Sequence, residues 1–266
     1  MPERESRQSL LQRASARLAS VTGPARDELA AAIDALTADA PAFDEILLAR
    51  DAYRDQSKVD THERVRVIEQ RSDLYAALYR DRADARAYTL AFRGSDGARD
   101  WLTANVQSIV GRAPQYREAI ELVDALRGEL DGPLRLTGHS LGGGLAAYAA
   151  VAFGLTATTY NAPGVHDKLL AAVERTRDHA ATLIRNYYVR GELVTTAQGR
   201  RERLPTALGV QIECPALDDD GAPVDDPRPP DAAKLHHINA SCRGLTALEQ
   251  LRVDALAAAL ARAETS

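Results

Sequence analysis

The chain has 266 residues, of which 45% are apolar and 27% charged, and its formal net charge is −5 at pH 7. That length suits one large domain, and the apolar share excludes global disorder. The acidic balance argues against a nucleic-acid binder, which needs a basic face. Cys214 and Cys242 are too few for a disulfide scaffold and too far apart for a CxxC metal or redox pair. One disulfide between them stays open for an oxidising compartment.

Residues 1–20 alternate Arg, Glu and Ser with Leu and Ala, and no apolar signal-peptide core follows. The expectation is a soluble chain, cytoplasmic at synthesis, with any export by a route that needs no cleaved signal. Leu10, Leu11, Ala14, Leu18 and Val21 fall at helical spacing, and Leu29, Ile33 and Leu36 repeat it. These predict a helical N-terminal extension over 1–40, ending near Pro41, ahead of a main domain over 41–266. Residues 42–54 predict another helix.

Leu74 to Tyr79 and Arg86 to Phe92 are β-rich runs around Asp81-Arg82-Ala83-Asp84, which predicts a hairpin. From Pro114 to Leu130, the residues Tyr116, Ile120, Val123, Leu126 and Leu130 share one helical face. Leu134 to Thr137 is a short strand running into Gly138. The stretch from Leu136 to Val165 holds no Asp, Glu, Lys or Arg, yet its glycines and Pro163 break it up. It therefore predicts a buried strand, helix and strand, not a membrane span. Strand Ala157 to Tyr160, helix Lys168 to Ala181 and strand Leu183 to Val189 continue the alternation. Such alternation means βαβ units, hence an α/β fold with a mostly parallel sheet. Residues 198–231 end in DDDGAPVDDPRPPD and predict a loop or flap at the sheet's edge, a candidate lid. Leu245 to Ala261 predicts a final helix.

The strongest chemical signal is Gly138-His139-Ser140-Leu141-Gly142, a G-x-S-x-G between an apolar strand and an Ala-rich helix. At such a sharp turn the serine takes a strained backbone conformation with its Oγ in open space. The N–H of Leu141 points into the same space and can hold an oxyanion. The bland alternative is a Gly/Ser turn in which Ser140 merely caps a helix. A nucleophilic serine needs a base, and the base needs an orienting acid.

In the chain order Ser, acid, His, the histidine follows the acid. His62 precedes the serine, His139 adjoins it and points elsewhere, and His166 and His179 come too early unless the acid is Asp167 or Asp178. His236 and His237 remain. The acid belongs just after the C-terminal end of a strand, where Glu192 follows Leu183 to Arg190. Asp218, Asp219, Asp220, Asp225 and Asp226 compete from the polar run, where solvation of a loop accounts for them. No HExxH occurs and the acidic run lacks calcium-loop spacing, so no metal or cofactor is expected.

With these residues in place, the sequence resembles the class 3 lipase family, whose members are α/β-hydrolases with helices on both faces of the sheet. The resemblance covers about residues 42 to 245 and rests on separate patches. Ala91-Phe92-Arg93-Gly94-Ser95 with Asp100-Trp101 is similar to the strand-end FRG[ST] motif and its downstream Trp. Gly138 to Gly144 is similar to the GHSLGG elbow, Val189 to Thr195 to the acid segment, and His236-His237-Ile238 to the base signature. The resemblance implies a lipid-ester hydrolase, lipase or phospholipase, with Ser140, His236 and Glu192 as triad and His237 as alternative base.

It also implies Ser95 as an oxyanion donor opposite Leu141, Trp101 as a structural or acyl-site residue, and Asn105 as a local hydrogen-bonding residue. The family's usual acid is Asp, so Glu192 is a departure. Implied partners are a lipid or phospholipid substrate met by transient membrane-surface contact, and no nucleic acid. Similarity to bacterial members delivered as antibacterial effectors would add a delivery or immunity partner. The rival expectations are an esterase of small soluble esters and an inactive binding module.

Overall fold

In the computed structural model, which describes residues 6–94, 113–200 and 204–265, the strands form a 7-stranded sheet whose order across the sheet is their order along the chain. They are β1 (His62–Glu69), β2 (Tyr75–Asp81), β3 (Tyr88–Phe92), β4 (Leu134–His139), β5 (Ala157–Tyr160), β6 (Ile184–Val189) and β7 (Val210–Cys214). The first pairs, β1 with β2 and β2 with β3, are antiparallel; every later neighbour is parallel. Parallel neighbours need crossovers, and helices supply them. They are α3 (Ala113–Glu129), α4 (Leu141–Phe153), α5 (Asp167–Ala172) with α6 (Arg177–Leu183), and α7 (Leu193–Arg200).

Successive residues of a strand point to opposite faces, and the packing follows that period. Ala76, Leu78, Leu90 and Phe92 share a core cluster with Tyr116 and Val123 of α3 and Leu145 of α4. Their neighbours Ala77, Tyr79 and Ala91 pack instead with Leu48 and Ala52, at the end of α2 (Pro24–Asp51) and just beyond it. Helices therefore cover both faces. Helix α4 is apolar all round and buried along almost its whole length, as a central helix must be.

The chain divides into two compact units. One joins the N-terminal segment up to Asp44 with the C-terminal segment from Leu245. Within it, Arg7 pairs with Glu249 at 2.8 Å, and Arg252 pairs with the buried Asp39 at 2.8 Å. Arg17 of α1 (Arg7–Leu18) donates to the Ala263 carbonyl at 3.0 Å. The other unit, Glu45–Gly244, contains the whole sheet.

The structure departs from the expected elements in several places, each with a local cause. Helix α2 runs through Pro41 without stopping. An interior proline costs roughly 3 kcal/mol, and the burial of Leu36, Ala42, Phe43 and Ile46 opposes it. The helix expected over 168–181 is two helices, because Glu174 takes a φ of 54° and Thr176 caps a new start by accepting the His179 N–H. Strand β1 was hidden by its charged residues; it lies at an edge, where such residues discourage pairing with other chains. Residues 198–231 are not all loop. They include β7 and the start of α8 (Pro229–Leu235), which α9 (Ile238–Thr265) follows closely. Cys214 and Cys242 are free thiols, so no disulfide joins them.

Candidate active site

Ser140 lies at the junction of β4 and α4 with φ 54° and ψ −130°, a left-handed backbone that a non-glycine residue holds only under constraint. The constraint is visible in its glycine neighbours. A Cβ on Gly142 would come within 2.1 Å of the Phe92 carbonyl oxygen, so only glycine lets the first turn of α4 press against the end of β3. A Cβ on Gly138 would fall 2.4 Å from Gly142. The N–H groups that open α4, beginning with Leu141, have no acceptor within their own helix.

Two further side chains meet Ser140. His236 follows α8, and its Nε2 lies 2.8 Å from Ser140 Oγ. Its Nδ1 lies 2.6 Å from Oε2 of Glu192. Glu192 precedes α7, and its carboxylate accepts the Val194 N–H at 2.8 Å and the Thr195 N–H. It thus caps the helix while holding the imidazole. Because a carboxylate accepts, Nδ1 carries the His236 proton, and Nε2 is left to accept from the serine hydroxyl. Glu192 is fully buried and His236 2% exposed, so water does not compete for the bond between them, whereas Ser140 is half-buried.

The other candidates fall elsewhere. His237 is exposed, and its Nδ1 accepts the Asn239 N–H at 3.2 Å, away from the serine. Asp218 accepts the backbone N–H groups of Asp220 and Ala222, Asp219 pairs with Arg243, and Asp225 lies 3.8 Å from Arg190. Asp220 and Asp226 are exposed. Ser95, Trp101 and Asn105 lie outside the described residues. Gly94 is described and stands beside the serine: a Cβ there would be 3.2 Å from Ser140 Cβ.

Three residues missed by the sequence reading brace the arrangement. His139 is buried, and its Nε2 lies 2.7 Å from the His236 carbonyl oxygen. That oxygen can only accept, so Nε2 holds the proton and Nδ1 accepts from the Tyr53 hydroxyl at 3.0 Å. The Tyr53 oxygen in turn accepts the Gly94 N–H at 2.9 Å. Asn161, with φ 47° at the end of β5, donates to the His236 carbonyl at 3.3 Å and accepts the Val189 N–H at 2.9 Å. An asparagine before Ala-Pro-Gly at a strand end was the only local cue to it.

Burial, reinforced by the nearby His236, holds the His139 pKa well below its ordinary value of 6.5. The unfolded chain therefore takes up this proton first as pH falls. Stability from the neutral His139 is complete above about 6.5 and declines as pH drops toward the folded value, by up to about 1.4 kcal/mol per pH unit. We expect the melting temperature to fall between pH 7 and pH 5, and His139→Asn to flatten that slope. An unchanged slope in the variant would reject the assignment.

A pocket of about 320 Å³ opens on Ser140 and His236, with Arg50, Tyr53, Arg54 and His237 also in its wall.

A family model described as a Tle-like phospholipase domain matches residues 35–218. The extracellular phospholipase A1 of Serratia liquefaciens is 36% identical over 166 residues, which is 59% of this chain and 50% of that protein. The chain thus matches about half the length of that relative. Among solved structures, a mutant form of MDLA from Penicillium cyclopium is 14% identical with a TM-score of 0.53, over 69% of this chain and 82% of that one. The M37 lipase is 11% identical with a TM-score of 0.53, over 81% of this chain and 98% of its own. At these identities the likeness is one of fold, the α/β-hydrolase fold.

Proposed function

The chain belongs to the Tle-like phospholipase domain family, and on that footing we propose that it hydrolyses carboxylic esters of phospholipids through an acyl-enzyme. Ser140 Oγ attacks the ester carbonyl while His236 Nε2 takes its proton. Glu192 holds His236 in the required tautomer and opposes the charge it acquires. The N–H of Leu141 meets the developing oxyanion, and Ser95, by resemblance, supplies the opposing donor. His236 then gives its proton to the leaving alcohol. Water, deprotonated by the same imidazole, releases the fatty acid.

The observation that carries this reading is the continuous pair of hydrogen bonds, 2.8 Å and 2.6 Å, from Ser140 through His236 to Glu192. Among the described residues no helix is long and apolar enough to cross a membrane. In this reading the phospholipid substrate is met by transient contact with a lipid surface.

Product analysis tests the proposal. Incubation with phosphatidylethanolamine and phosphatidylglycerol vesicles is expected to release fatty acid and lysophospholipid in equal amounts. Cleavage of short p-nitrophenyl esters with no fatty acid released from vesicles would favour an esterase of soluble substrates. Absence of both, with no labelling by a fluorophosphonate, would leave a binding module.

A further inference from the structure

Helix α2 ends beside the nucleophile, and its last turn is cationic. Tyr53 donates its N–H to the Arg50 carbonyl at 3.2 Å, and Arg54 donates its N–H to the Asp51 carbonyl at 2.9 Å, so the turn continues past the helix end. Arg50, Tyr53 and Arg54 are three and four positions apart, which puts them on one side. All of them line the pocket that opens on Ser140 and His236.

The balancing acid is spent elsewhere. Asp51, between the two arginines, is buried and accepts the Tyr79 hydroxyl at 2.9 Å and the Lys58 N–H at 2.8 Å. It also lies 3.4 Å from Arg64. Among the described residues no carboxylate lines the pocket. Among the described residues no ion pair forms to Arg50 or Arg54, while arginines across the rest of the surface are commonly paired. In a chain of net charge −5, a pocket with two arginines and no carboxylate among its described lining is an unusual patch. A helix C-terminus favours one cation through its dipole, but that does not account for Arg54, which lies beyond the helix.

We propose that Arg50 and Arg54 form a phosphate subsite, gripping the phosphodiester of a lipid whose scissile ester lies at Ser140. The proposal rests on the ester-hydrolase reading and adds its selectivity. A guanidinium presents a planar fork of N–H donors that matches two phosphate oxygens, and its charge persists across the working pH range. In a glycerophospholipid only a short glycerol spacer separates the ester carbonyl from the phosphorus, so one pocket of this volume accommodates both. A neutral acylglycerol would leave the two cations facing apolar groups, which is costly when water is displaced. The arginines therefore favour phospholipid over acylglycerol. The main chain that carries them is braced, because the Arg54 carbonyl accepts from Arg64 at 2.7 Å.

The test is a ratio, kcat/KM for phosphatidylcholine over that for diacylglycerol with the same acyl chains in the same detergent micelles. In Arg50→Gln/Arg54→Gln the ratio is expected to fall about tenfold or more, with partial recovery in Arg50→Lys/Arg54→Lys. A ratio unchanged from the wild type overturns the subsite, whether both rates fall together or neither does. A second measurement needs no variant. Glycerophosphocholine should compete with p-nitrophenyl butyrate in the wild type and glycerol should not; equal behaviour of the two overturns the proposal. Failure of the wild type to react with a fluorophosphonate rejects the hydrolase reading and the subsite with it. Labelling with an unaltered ratio rejects the subsite alone.

Discussion

Replacing Ser140 or His236 with alanine is expected to lower kcat by about 10⁶-fold, and the double variant to be no slower than either single one. The expectation follows from the shared proton. Ser140 Oγ lies 2.8 Å from His236 Nε2, and neither group has its function without the other. Once one is gone, oxyanion donors and substrate binding still work, so a residue of catalysis persists and further truncation takes little away. Steady-state turnover with a titrated active-site concentration measures this. Two contributions that multiply in the double variant would mean the two residues act separately. His237→Asn serves as comparison: His237 is exposed and its ring is engaged by Asn239, so its loss should leave kcat within a few-fold of the wild type.

Glu192→Gln should lower kcat by about 10⁴-fold, the scale seen when a triad acid becomes an amide. The carboxylate is surrounded by donors: His236 Nδ1 and the backbone N–H groups of Val194 and Thr195. An amide must turn its own NH2 toward one of them. Turned toward the imidazole, it imposes the tautomer in which Nε2 is protonated and cannot accept from serine. Glu192→Asp keeps the charge but retracts it, and a misplacement near 1 Å costs roughly 10²-fold. An amide variant within tenfold of the wild type would show that another acid orients the histidine.

The parts legible in the sequence were those whose cause is local. A serine between glycines at a strand-to-helix turn announces itself because the steric demands of the turn are met by the residues around it. Glu192 could be reached because acids in such sheets follow a strand end, and LIRNYYVR is visibly a strand. The bracing groups were not legible, since their partners are distant in sequence. His139 meets His236 across 97 positions, and Asn161 meets it across 75. No window of sequence contains both halves of either bond. The edge strands were obscured for another reason. Arg64 and Arg66 alternate with Val65 and Val67 on β1, and both valines are exposed, so burial left no period to read.

Because, among the described residues, each strand after the first pairs with the one synthesised just before it, the sheet can grow from one margin to the other as the polypeptide leaves the ribosome, with none of these strands inserted between neighbours already in place. Ser140 follows the fourth strand in this process, Glu192 the sixth, and His236 comes after the seventh, 96 residues beyond the serine. A nascent chain thus carries Ser140 through the synthesis of the 96 positions that lead to His236, the imidazole that stands beside it in the folded protein.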